Sequence, residues 1–99
     1  MTIKTINEDS KIILQVEGRV DTNTSPELQK KILEALQSSK ELVIDFEQVP
    51  YISSAGLRAL LLGQKTANSK KISMIVTNVS SMVMQVLKSV GFDKVLKIQ

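Results

Sequence analysis

Two adjacent serines, Ser53 and Ser54, stand between the strand-like run Leu42-Val-Ile-Asp-Phe46 and the helix-like run Ala55-Gly-Leu-Arg-Ala-Leu-Leu-Leu62. A helix start leaves backbone N–H groups without intrahelical partners and carries partial positive charge. A hydroxyl placed there can cap the helix, and a phosphate esterified to it would meet ready donors. The segment therefore reads as a helix cap or as a phosphorylation switch. A second polar cluster, Gly18-Arg-Val-Asp21 followed by Thr22-Asn23-Thr24-Ser25, precedes another helix-like run. Asp21 in such a loop bonds nearby backbone or belongs to a site.

Composition removes most other chemistry. The 99 residues contain no cysteine and no histidine. Disulfide frameworks, cysteine nucleophiles, Cys/His zinc sites and Ser-His-Asp triads are excluded. No Gly-x-x-x-x-Gly-Lys or Gly-x-Gly-x-x-Gly loop is present, and no paired-carboxylate motif, so the chain is expected to be no enzyme and to need no cofactor or metal. The net charge of +3 is spread along the chain from Lys4 to Lys97. With Phe46, Tyr51 and Phe92 as its only aromatics, it lacks the interleaved stacking residues of a nucleic-acid surface. No direct nucleic-acid partner is expected. Met1-Thr-Ile-Lys4 has no signal-like pattern, and no apolar run approaches the ~20 residues needed to span a bilayer. The expected location is the cytoplasm.

The elements that must position the serines follow from periodicity. Residues 1–99 read as a single α/β domain with 42% hydrophobic residues, enough for a core of its own. Ile3–Ile6 and Lys11–Glu17 form a hairpin across the turn cluster Asn7–Ser10. A helix follows, with either Ser25 capping ahead of Pro26 or Thr24 and Glu27 forming a capping box. Its apolar face is Leu28, Ile32, Ala35 and Leu36. Glu41–Phe46 is a strand whose unbroken Leu42-Val43-Ile44 run suggests cover on both faces. The second helix spans Ala55 to about Asn68, with Leu57, Leu60, Leu61 and Leu62 inward. Ile72–Thr77 is the next strand. Ser80 caps a third helix with Val83, Val86, Leu87 and Val90 inward, Gly91 ends it, and Lys94–Ile98 is the last strand. The order β-β-α-β-α-β-α-β implies a mixed, mostly parallel sheet of about five strands with an antiparallel N-terminal hairpin and three main helices. Among the remaining residues, Asp45 is expected to bond neighbouring loop N–H groups. Gly56 is expected to allow close approach of a partner or phosphate, and one of Met82 and Met84 to be exposed.

This element order, with the segment Val-Ile-Asp-Phe-Glu-Gln-Val-Pro-Tyr-Ile-Ser-Ser-Ala-Gly-Leu, resembles the STAS domains, specifically the stand-alone anti-sigma factor antagonists. The Gly18-Arg-Val-Asp21 loop and Thr24 look like the family's Gly-x-apolar-Asp loop. The resemblance implies a STAS fold and a protein that binds an anti-sigma factor, often a serine kinase, to release a sigma factor. Phosphorylation of one serine at the start of the second helix switches binding off, and a serine phosphatase restores it. The acceptor lies two residues before the glycine, which here is Ser54, with Ser53 as the backup. The acid that usually precedes the acceptor is Ser53 in this chain, and the Ser or Thr that usually follows it is Ala55. Implied partner-binding residues are Asp21, Thr22, Asn23, Ser53, Ser54, Ala55, Gly56, Leu57 and Arg58. STAS domains are also subunits of lipid-transport assemblies and tails of anion transporters, so an accessory role in a membrane transport or other regulatory complex is the alternative.

Overall fold

Alternation of apolar and polar residues dictates which side of each strand is buried, and the computed structural model, which describes residues 1–99, follows it closely. In β1 (Thr2–Glu8), β2 (Lys11–Glu17), β3 (Glu41–Gln48), β4 (Ser73–Thr77) and β5 (Lys97–Ile98), strand neighbours run in sequence order across one sheet. β1 and β2 are antiparallel, and the remaining pairs are parallel. The helices are α1 (Ser25–Ser38), α2 (Ser54–Lys70) and α3 (Ser81–Ser89). This is the mixed α/β architecture that the periodicity implied.

Each crossover moves one strand further in the same direction. Right-handed connections therefore lay all three helices on one face of the sheet. Ile12, Leu14 and Val16 of β2, Leu42, Ile44 and Phe46 of β3, and Met74 and Val76 of β4 are buried on that face. They form one cluster with Leu28, Ile32 and Leu36 of α1, Leu57 and Leu60 of α2, and Val83 and Leu87 of α3. The expectation that β3 is covered on both faces is corrected. Val43, between buried Leu42 and Ile44, is only half-buried, as are Ile13 and Ile75 beside it in register. The unbroken apolar run reflects an apolar stripe on the open face, not a second helical layer.

Element ends differ from expectation where tertiary contacts extend or shorten them. β1 runs the full length of β2, so the turn is reduced to Asp9-Ser10. Asp9 adopts φ 52°, the left-handed value a two-residue hairpin needs. β3 continues to Gln48, and α2 starts one residue earlier than expected and ends at Lys70, capped by Lys71 at φ 59°. The last strand shrinks to Lys97–Ile98, because Phe92–Lys94 winds into a 3-10 turn behind Gly91 at φ 76°. The inner face of α3 is likewise narrower. Val83 and Leu87 are buried, whereas Val90 leaves the helix at its C-cap and is 51% exposed. On α2, Leu57 and Leu60 face inward and Leu62 does not. Met82 is exposed and Met84 half-buried.

Candidate functional site

The site is built where β2 and β3 end. Gly18 N–H donates to Gln48 O at 2.9 Å, Val20 N–H to Tyr51 O at 3.0 Å, and Ser53 N–H to Val20 O at 2.8 Å. Val20 and Ile52 thus form a parallel bridge beyond the regular strands. Both side chains are buried, at 0% and 2% exposure. The bridge fixes the loop bearing Asp21 against the first turn of α2. Sequence reading placed these two clusters far apart in the chain, and the structure brings them side by side.

Gly56 sits over this bridge. A Cβ at position 56 would stand 2.6 Å from Ile52 Cγ1 and 2.7 Å from Val20 Cγ1. Close approach is therefore required here, but the approaching groups are the chain's own Val20 and Ile52. This corrects the expectation that Gly56 admits a partner or phosphate. Leu57 is buried beside it, so neither residue offers surface. They seat the helix, and the surface belongs to their neighbours. Thr22, Asn23, Ser54 and Arg58 are exposed; Asp21, Ser53 and Ala55 are half-buried.

The two serines divide their tasks. Ser53 is the N-cap of α2, with extended backbone (φ −96°, ψ 175°), and its hydroxyl accepts from Gly56 N–H at 3.4 Å. The first intrahelical bond runs from Leu57 N–H to Ser53 O. Ser54 is the first helical residue, exposed, and not the cap. Of the two roles open to the pair, the cap falls to Ser53, and Ser54 is left as an exposed hydroxyl. Asp and Ser are comparable as cap acceptors, so serine at position 53 meets the helix's need without an acid. No acidic residue lies in the first turn of α2, and Arg58 stands one turn beyond Ser54.

Asp21 organises its own loop. Its carboxylate accepts from Asn23 N–H at 2.9 Å, from Thr24 N–H at 3.1 Å and from the Thr24 hydroxyl at 3.2 Å. Thr24 Oγ1 also lies 2.8 Å from Arg19 O as a donor and accepts from Asp21 N–H at 2.9 Å. Thr24 is the N-cap of α1, yet its hydroxyl serves this loop and makes no helix cap. The buried Ser25 hydroxyl donates back to Asp21 O, so neither expected capping arrangement forms. The Thr24 N–H holds the Asp21 carboxyl below its ordinary range. Partial desolvation opposes this, while Asn23 N–H, the Thr24 hydroxyl and the Arg19 charge add to it.

A carboxyl whose folded-state pKa is depressed stabilises the fold above its unfolded pKa, about 3.9, and the contribution disappears as pH falls through the folded value. Asn at this position keeps an oxygen acceptor and loses the charge. Thermal melts of wild type and Asp21→Asn are therefore expected to differ near neutrality, and the difference to shrink from about pH 4 downward and vanish only below the lowered folded-state value. A difference independent of pH would remove the charge from this account.

Two contacts were not foreseen from the sequence. The Arg19 guanidinium lies 4.3 Å from the centroid of the Tyr51 ring, tying the two loops together from outside. No local pattern links positions so distant in the chain. Asp45, expected to bond loop N–H groups, accepts from Glu47 N–H at 2.9 Å and also from the Asn78 amide at 3.1 Å. It thereby joins the ends of β3 and β4. No helix is long and apolar enough to cross a membrane.

Residues 2–99 match the STAS domain family, and the chain belongs to it. Its fold is shared with an anti-sigma factor antagonist from Mycobacterium paratuberculosis at 25% identity and TM-score 0.83, covering 98% of this chain and 83% of that one. A STAS domain protein from Planctomyces limnophilus, an anti-sigma-factor antagonist, superposes with TM-score 0.86 at 20% identity, over 97% of this chain and 87% of the other. The Bacillus cell fate determinant SpoIIAA in its phosphorylated form superposes with TM-score 0.77 at 15% identity, over 99% and 91%. STAS domain proteins are typically non-catalytic regulators.

Proposed function

We propose that this chain is an anti-sigma factor antagonist. It binds an anti-sigma factor of the serine-kinase type through the Asp21–Asn23 loop and the exposed first turn of α2, and so frees a sigma factor. Phosphorylation of Ser54 ends that binding, and a serine phosphatase restores it. One observation carries this reading: Ser54 is exposed at the first position of α2 while Ser53 does the capping. The acceptor hydroxyl is thus free to react without costing the helix its cap.

The chemistry at that position is favourable to a phosphoserine. The N–H groups of the first turn precede the first intrahelical bond, and Arg58 is four residues on, within reach of a charge-assisted pair on the same face. The modified chain keeps its fold while the surface offered to the partner gains about −1.5 to −2 charge. The likeness to antagonists, and to one whose phosphorylated form is known, supports the same assignment.

The test is capture from a lysate of the native host with wild type, Ser53→Ala and Ser54→Ala as bait, followed by phosphosite mapping. Wild type and Ser53→Ala are expected to acquire phosphate at Ser54 and to release an anti-sigma factor with an ATP-binding kinase domain as they do so, whereas Ser54→Ala stays unmodified there and retains it. Phosphate on Ser53 alone, or retention of a transport subunit in its place, would sink the assignment.

A further inference from the structure

The open face of the sheet and its first edge form a surface that the regulatory site does not use. Ile6, Ile13, Val43 and Ile75 stand in register across β1 to β4, on the face opposite the helices. All four are half-buried and outside the core cluster. The stripe runs to the β1 edge and stops there at Ile6. β5 closes the opposite edge with only two residues, whereas β1 presents seven.

The edge has a defined polarity. Gly18 N–H and Ser10 O are directed to the β3 side, so the even-numbered residues of β2 bond toward β3 and the odd-numbered ones toward β1. Their partners in register are the even residues of β1. The N–H and C=O groups of Ile3, Thr5 and Asn7 therefore point away from the sheet, available to another strand.

We propose that two copies of this chain pair through β1, antiparallel, with Ile6 facing Ile6 across the two-fold axis. Thr5 then exchanges backbone bonds with Asn7 of the second copy, using the outward-pointing groups. Lys4 lies directly opposite Glu8 on each side of the axis. The apolar stripe continues without a break from one copy into the other, making a single sheet. The charges choose this register. Moving the two-fold axis by two residues, a four-residue slide of one strand, puts Lys4 on Lys4 in one direction and Glu8 on Glu8 in the other; both are destabilising cross-strand pairs. A register centred on Thr5 avoids these repulsions but leaves Lys4 opposite Ile6 and Glu8 opposite Thr2. Only pairing about Ile6 joins opposite charges and apolar groups together. On the helix side of the seam, the cleft between β1 and α1, lined by Thr5, Asn7, Lys31 and Glu34, is brought against the same cleft of the second copy.

Because the chain has no cysteine, a single introduced thiol reports the register. Ile6 would sit at a non-hydrogen-bonded pair with Cα atoms about 4.5 Å apart, within the range a disulfide spans. Under mild oxidation, Ile6→Cys is expected to give a disulfide-linked dimer, while Lys4→Cys and Thr5→Cys remain uncrosslinked. Light scattering across a concentration series should show wild type at twice its 10.9 kDa mass. Thr5→Pro removes only an outward N–H and should return the mass to that of one chain with an unchanged circular dichroism spectrum. Should Thr5→Pro fail to fold, charge reversal decides: Lys4→Glu should lose the dimer, and Lys4→Glu with Glu8→Lys should regain it. A wild type that stays at one chain's mass at every concentration overturns the proposal. Crosslinking at Lys4 or Thr5 in place of Ile6, or a folded Thr5→Pro that remains dimeric, does the same.

Discussion

Ser54→Asp is expected to abolish capture of the kinase-type anti-sigma factor, while Ser54→Ala keeps it. Ser54 is exposed, half-buried Ser53 and Ala55 flank it, and Arg58 lies on the same helix face. A carboxylate introduced at the proposed interface, desolvated and unmatched on the partner, costs about 2–5 kcal/mol. That corresponds to a rise in Kd of about 30-fold to several-thousand-fold. Aspartate carries less charge than a phosphoserine, so the modified protein should show the larger loss. The same substitution should leave the fold intact. A negative charge in the first turn of a helix is favourable by about 0.3–1 kcal/mol, so the melting temperature should hold or rise slightly. Titration calorimetry against the captured partner and a thermal melt separate the two effects. Equal affinity for both variants would show that Ser54 is not at the interface. Lost affinity with a lowered melting temperature would trace the effect to unfolding.

Gly56→Ala is expected to lower stability by up to about 2 kcal/mol, although alanine is the better helix former by about 1 kcal/mol. The new methyl group would fall within 2.7 Å of carbons from both Ile52 and Val20. Those carbons belong to buried branched side chains, one of them wholly inaccessible, and not to flexible tips. Overpacking of this kind costs about 1–3 kcal/mol, which exceeds the helix gain. For a domain of this size the melting temperature should fall by up to roughly 15 °C. Binding should weaken as well, because the displaced Val20–Ile52 bridge is what holds the Asp21 loop beside Ser54. A Gly56→Ala protein more stable than wild type would show that the bridge yields freely.

The pieces of the fold were largely legible before the chain was folded. Leu28, Ile32, Ala35 and Leu36 recur at helical spacing and are all buried on α1. Gly91 marks the end of α3 and takes the left-handed conformation expected of it. Element order alone leads to a mixed sheet with an antiparallel first pair, because strands joined through helices must be parallel. The run Leu42-Val43-Ile44 misled because hydrophobicity by itself does not distinguish a covered face from an open apolar stripe. That distinction depends on the direction each crossover takes. Val90 misled because helical periodicity says nothing of where the helix stops, and the C-cap takes that residue off the face.

Sequence by itself determined which residues could do chemistry here. Without cysteine or histidine, and with two serines at a helix start, a modifiable binding surface is what the residue types permit. The family resemblance, counted back from Gly56, implied Ser54 as the acceptor. Only the tertiary structure decided how the neighbours share the work. Capping depends on backbone angles and on which N–H a hydroxyl meets, so Ser53 became the cap and Ser54 the exposed group. Gly56 and Leu57 turned inward because the Val20–Ile52 bridge, a contact between residues 32 positions apart, lies directly beneath them. Local propensity carries no record of such a contact, since it comes into being only when the ends of β2 and β3 are brought together.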